Sequence, residues 1–282
     1  MSRHAPKASP KSMLLDLLRV TPGREIPVRQ LVAAAALLGF SGNASRVALA
    51  RLQARGLVES TERGAYRLAP LTDPVSRHVD SWRLGESRLR PWDRSWLCVH
   101  LPKAASRTAR AKSVKALSFL GLREGLPGLW VRPGNLEYGI QELRPLLAAM
   151  GLEAAAQIFI ASDFSAPLLH TWQSRLWNVE QIGAAGRKAL EALQESDGRV
   201  GRLAAGAALR ETFLTGGAAI RALVLDPLLP EEIAPGEARR KLTLAMLRYD
   251  ALGRDLWGRF LGNSGIGEAP RHLAGLASVP TA

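Results

Sequence analysis

Eight residues within 25 positions carry the side-chain types by which nucleic acids are recognised: Asn43, Ser45, Arg46, Arg51, Arg55, Arg63, Tyr66 and Arg67. A guanidinium offers parallel N–H donors that match two acceptors of guanine or of a phosphate, and an asparagine amide pairs with adenine. Serine bonds to several base edges. Asn43, Ser45 and Arg46 are therefore expected at base edges. Arg51 and Arg55 are expected at phosphates or in internal pairs. Arg63, Tyr66 and Arg67 are expected along the DNA backbone or in the minor groove.

That chemistry needs a helix and a hairpin to carry it, and the local signals supply both. Ser41 and Asn43 are competent N-caps, because their side-chain oxygens can accept from the free amides of a first helical turn. From Asn43 to Arg55 the apolar residues Val47, Ala50 and Ala54 recur at three and four, with Leu49 and Leu52 widening the stripe. Such a helix is about 20 Å long, enough to lie in a major groove. Gly56 stops it. Leu57-Val58-Glu59 and Ala65-Tyr66-Arg67-Leu68 read as strands around the turn Arg63-Gly64. Two helices precede this unit. Lys11 to Val20 carries Met13, Leu14, Leu17 and Leu18, and Pro27 to Leu38 opens on a proline suited to a first helical position. The set reads as a winged helix-turn-helix.

Charge placement agrees. The 38 Lys+Arg and 25 Asp+Glu leave a net charge of +13. Residues 1–95 hold 16 basic and 8 acidic side chains, residues 96–140 hold 7 and 2, and residues 141–282 hold 15 and 15. The excess thus lies in the first half, as a polyanion-binding half joined to a neutral one requires. No run of 18 uncharged apolar residues predicts a membrane span. The start, Met-Ser-Arg-His-Ala-Pro-Lys, does not read as a signal peptide. A cytoplasmic protein, nucleoid-associated when bound to DNA, is expected. The single cysteine, Cys98, reads as a buried packing residue in a reducing compartment.

Catalytic patterns are missing from the sequence. It has no Gly-x-Ser-x-Gly, no phosphate loop ending in Gly-Lys-Ser/Thr and no paired cysteines. His4, His78, His100, His170 and His272 lack metal-ligand spacing. No catalytic residue, metal or cofactor is expected, and the chain reads as a binding protein rather than an enzyme.

Beyond the hairpin, residues 71–95 are polar and basic and read as a linker, helical in part. Trp96 to Leu101 is a strand candidate, Ala109 to Leu120 a helix, Gly121-Leu122-Arg123 and Leu129 to Arg132 two strands. Leu136 to Met150 is a helix and Gln157 to Ala161 a strand. The order β-α-β-β-α-β is the ferredoxin-like arrangement. After residue 166 the pattern is mainly helical. The expected class is α+β and multidomain: a flexible N-terminus (1–11), a winged helix (12–70), the linker (71–95), a ferredoxin-like domain (96–165), a helical effector and dimerisation domain (166–262) and a flexible tail (263–282).

Four stretches resemble the PaaX-type repressors, regulators of phenylacetate catabolism in bacteria. They are Ser45 to Leu52 with Gly56-Leu57; Pro91-Trp92-Asp93 with Trp96 and Leu101-Pro102; Leu120-Gly121 with Pro127 to Pro133; and Leu225-Asp226-Pro227-Leu228-Leu229-Pro230. The resemblance implies a dimeric transcriptional repressor bound to an inverted-repeat operator. Its middle domain would resemble the small ferredoxin-like nucleases of CRISPR systems. An aryl-acyl-CoA thioester, typically phenylacetyl-CoA, would release it from DNA. Trp172 and Trp177 are candidates to stack on the effector's acyl group or adenine. Where the family tends to have Asp-Leu-Pro-Glu, this chain has His100-Leu101-Pro102-Lys103. That change removes an acidic ligand a nuclease of this kind would want, and it points to a shifted effector preference. A nucleic-acid-processing enzyme using the middle domain and a non-specific architectural DNA-binding protein stand as the alternatives.

Overall fold

The computed structural model describes residues 9–20, 23–61, 64–69, 74–102 and 106–262. The fold mixes helices with antiparallel sheets, an α+β class. Two compact units divide the chain: the described parts of 1–72, 196–216 and 248–282 form unit one, and those of 73–195 and 217–247 form unit two.

Unit one opens with α1 (Pro10–Val20), β1 (Ile26–Pro27), α2 (Val28–Leu37), α3 (Gly42–Gln53), β2 (Val58–Ser60) and β3 (Ala65–Leu68). The α1 leucines at 14, 17 and 18 with Met13 form one buried stripe, as their spacing predicts. Leu31, Ala34 and Ala35 of α2 and Ala48, Leu49 and Leu52 of α3 close on it. Pro27 ends β1 in extended conformation, so α2 starts one residue after it. Its backbone pairs with Ala65, which makes a strand the sequence did not predict, and the sheet order is β1-β3-β2. The core also takes in Leu209, Trp257 and Leu261. The Trp257 indole N–H donates to the Leu209 carbonyl at 3.1 Å.

Unit two begins with α4 (Pro74–Asp80) and a 3-10 helix, Ser81–Arg88. The segment expected as a linker therefore holds ordered helix, and it buries Trp82, Arg88 and Trp92. Next come β4 (Trp96–His100), α5 (Arg107–Phe119), β5 (Arg123–Leu126), β6 (Leu129–Pro133), α6 (Ile140–Ala149) and β7 (Gln157–Ala161). Their sheet order is β5-β6-β4-β7, with antiparallel neighbours throughout. Side chains on a strand alternate between faces. On β4, Leu97 and Val99 meet Leu117 of α5, Leu120 just beyond it, and Leu143 and Leu147 of α6. Trp96 and Cys98 face the other way, toward Val131, Trp172, Trp177 and Leu229. Both faces are covered, which is why β4 is apolar without alternation. Cys98 is a buried free thiol, and burial pushes it up to about 11.

The helical remainder comprises α7 (Ala166–Arg175), α8 (Val179–Val200), α9 (Ala205–Leu225) and α10 (Glu237–Phe260). Residues 166–262 do not make a unit of their own: 196–216 and 248–262 belong to unit one and the rest to unit two. None of the described helices is long and apolar enough to cross a membrane. Most of the expected flexible ends, residues 1–8 and 263–282, lie outside the described residues.

Candidate nucleic-acid interface

Helix α3 is fixed at both ends by local chemistry. Ser41 is the cap: its Oγ accepts from the Ala44 amide at 3.2 Å, while Asn43 lies inside the first turn. At the other end Gly56 takes φ of +65°, and the amides of Gly56 and Leu57 return to the carbonyls of Gln53 and Leu52. That double closure needs a left-handed residue, which glycine adopts without a Cβ clash. The helix thus ends at Gln53, and Arg55 sits in the exposed turn that follows.

The helix is rotated from the expected phase. Val47, Ala50 and Ala54, read as its buried stripe, are exposed; the buried residues are Ser45, Ala48, Leu49 and Leu52. Two leucines remove more apolar area from water than a valine and two alanines, so they decide which face turns inward. Ser45 is consequently not available to a base edge. It is fully buried, and its hydroxyl donates to the Ser41 carbonyl at 2.9 Å. Asn43 and Arg46 remain exposed on the outward face with Val47 and Ala50. Sequence reasoning missed these two small apolar residues as surface. The signal was the competing phase of Leu49 and Leu52.

Arg46, Arg51 and Arg55 are exposed, and among the described residues none of them has a carboxylate within salt-bridge distance. The internal pairing considered for Arg51 and Arg55 does not occur among those residues. Arg67 differs. It stands opposite Glu59 in the β2–β3 register and donates to it from Nε at 2.8 Å, with both side chains nearly half exposed. Such a surface pair is worth at most about 1 kcal/mol and yields easily to a competing anion. Tyr66 packs in part against the core of unit one. Arg63 lies outside the described residues. The structure therefore gathers Asn43, Arg46 and Arg51 on one helix, Arg55 after it, and Tyr66 and Arg67 on the hairpin of the same unit.

In unit two the proposed effector residues prove to be core. Trp172 and Trp177 are at most 4% exposed, and their indole N–H groups donate to the carbonyls of Gly125 and Gly121. Trp96 lies between them, with ring centroids at 5.1 and 6.3 Å. At this burial neither indole shows a ring face on which a ligand could stack, and the one donor of each is already bonded. In this structure the two tryptophans are packing residues of the core, not a surface for an effector. A cavity of about 120 Å³ lies elsewhere in the unit, lined among others by Arg90, Leu97, Arg132, Tyr138, Leu143 and Ile160. No motif announced it. Arg132 is buried and holds the carbonyls of Leu120, Pro133, Pro227 and Leu228, with burial lowering its guanidinium to about 10. Among the described residues no cluster of His, Cys, Asp or Glu is arranged to hold a metal ion.

Among solved structures, the uncharacterized protein Rv0674 from Mycobacterium tuberculosis matches at a TM-score of 0.61 and 20% identity, covering 89% of this chain and 98% of that one. That likeness is one of fold. No match is found among the curated proteins. Residues 9–72, which hold α1, α2, α3 and the hairpin, match the family model described as PaaX-like protein, so this segment is similar to that family, a likeness that suggests a transcriptional regulator.

Proposed function

We propose that this protein is a DNA-binding transcriptional repressor whose first unit is a winged helix-turn-helix. The observation that carries the reading is the outward face of α3. It presents Asn43 and Arg46, with Arg51 and Arg55 near by, and these arginines meet no carboxylate among the described residues. Unpaired exposed guanidinium groups on a capped helix suit the negative floor and walls of a major groove. The hairpin with Arg67 serves as the wing, and phosphate contacts supply most of the affinity. The βαββαβ part of unit two, with its antiparallel order β5-β6-β4-β7, takes the role of a ferredoxin-like middle domain without catalysis. The protein works as a cytoplasmic homodimer on an inverted repeat whose half-sites are about 10 bp apart or a multiple of it.

The inducer we propose is an aryl-acyl-CoA thioester that favours a dimer geometry unsuited to that spacing. This part rests on the family resemblance. The cavity of unit two lends it support, being close in size to voids that accept a benzene ring.

The test compares two neighbours on α3 in the full chain. Arg46→Ala is expected to weaken operator binding by roughly 1–3 kcal/mol and relax sequence preference at one position. Ser45→Ala, buried and bonded within the helix, is expected to leave affinity within about twofold. Unchanged affinity and preference in R46A overturn the placement of the reading helix. Footprinting with and without a panel of acyl-CoA thioesters checks the rest. A discrete protected palindrome that every thioester leaves intact removes the inducer class, and general coverage of the DNA favours an architectural protein.

A further inference from the structure

Val47 is 43% exposed in the middle of α3, between Arg46 and Ala50, which are exposed as well. Together with Asn43 these residues form one outward stripe at spacings of three and four. A β-branched residue is a poorer helix former than alanine, and here it covers no core. Helix stability therefore gives no reason for a valine at this place. The stripe has a polar end at Asn43 and Arg46 and an apolar end at Val47 and Ala50. Arg51 and Arg55 follow it, exposed and without a carboxylate partner among the described residues.

We infer that Val47 and Ala50 read the C5-methyl groups of thymine, so that each half-site carries A·T base pairs under the middle of α3. In the major groove only thymine offers an apolar group at the base edge, and small aliphatic side chains are its complement. Arg51 and Arg55, which meet no carboxylate among the described residues, favour a polyanion over an apolar protein partner as the occupant of this face. Ala50 lies one turn beyond Arg46 and two beyond Asn43, and its methyl leaves room for close approach of the helix backbone to the groove floor. The inference rests on the DNA-binding reading above and goes further by naming the base and the chemical group that the centre of the helix recognises.

The experiment starts from the duplex that the full-length protein selects from a randomised pool of 30-bp sequences. Each thymine in the selected site is then replaced by uracil, which removes the methyl and leaves base pairing intact. Wild-type affinity is expected to fall about fourfold per contacted methyl, at one or two positions in each half-site. Val47→Ser is expected to bind the thymine duplex more weakly and to lose the difference between thymine and uracil at one of these positions. Its thermal melting and the salt dependence of binding stay as in the wild type, because Val47 is neither core nor charged. If no uracil position lowers wild-type affinity by as much as twofold, or V47S keeps the full discrimination, the inference is wrong while the DNA reading stands. If the protein selects no sequence from the pool, specific recognition fails and this inference falls with it.

Discussion

Ser45 and Val47 are two residues apart on one helix, and the structure exchanges the places their chemistry suggests. A serine beside an arginine reads as a base contact, and a valine in an alanine-rich run reads as core. Both readings fail for one reason. Leu49 and Leu52 set the rotation of α3, and at that rotation position 45 is inside and position 47 outside. The hydroxyl tolerates burial because the Ser41 carbonyl accepts its proton. His78 is a second residue whose role depends on its surroundings. It packs against Phe119 and Tyr138, and burial, together with the charges of Arg88 and Arg132, lowers it from 6.5 to about 4. The unfolded chain binds a proton near 6.5 that the folded chain refuses until about 4, so its contribution to stability is complete above 6.5 and is lost as the pH falls toward 4. Denaturant titrations across that window are expected to show a flatter pH dependence for His78→Gln than for the wild type. Equal slopes mean that the imidazole titrates as it does in water.

At the scale of elements, two of the four stretches that carried the family resemblance come together around one arginine. Arg132 of β6 donates to the carbonyl of Leu120, at the end of α5, and to those of Pro227 and Leu228 in the turn after α9. Asn135 adds a bond to Leu228 at 2.9 Å. Asp226 holds the same turn, accepting from the Leu228 amide at 2.8 Å and from Arg239 of α10 at 3.2 Å. Gly121 stands at the meeting point with φ of +79°, and a Cβ there would come within 2.8 Å of the Pro227 side chain. Gly121→Ala is therefore expected to destabilise unit two by about 2–4 kcal/mol, through left-handed strain and overpacking together. The urea midpoint of the full chain measures it. An unchanged midpoint indicates that Pro227 gives way freely. The sequence showed these stretches as separate motifs because their contacts span about a hundred residues, and side-chain periodicity carries no information at that range.

At the scale of the whole molecule, the helix-helix-helix-hairpin order places the proposed DNA-binding part in the first 70 residues, while the basic excess runs on to about residue 140, and the part is not closed by its own residues. Leu209, Trp257 and Leu261 complete its core. A fragment ending at residue 72 is expected to lack a cooperative melting transition and to bind hydrophobic dyes, whereas the full chain melts as a folded protein. A cooperative, dye-silent fragment indicates that the three distant residues only decorate the core. The sequence by itself determined the existence of α1, α2, α3 and the hairpin, the order of strands and helices from 96 to 161, and the charge asymmetry. These follow from neighbours within one turn or one strand, where periodicity, caps and glycine stops act directly. The tertiary structure decided which face of α3 meets solvent, that Trp172 and Trp177 are core, and that the last helices are shared between two units. Those outcomes depend on which apolar surfaces cover one another, a competition over the entire chain that no local pattern contains.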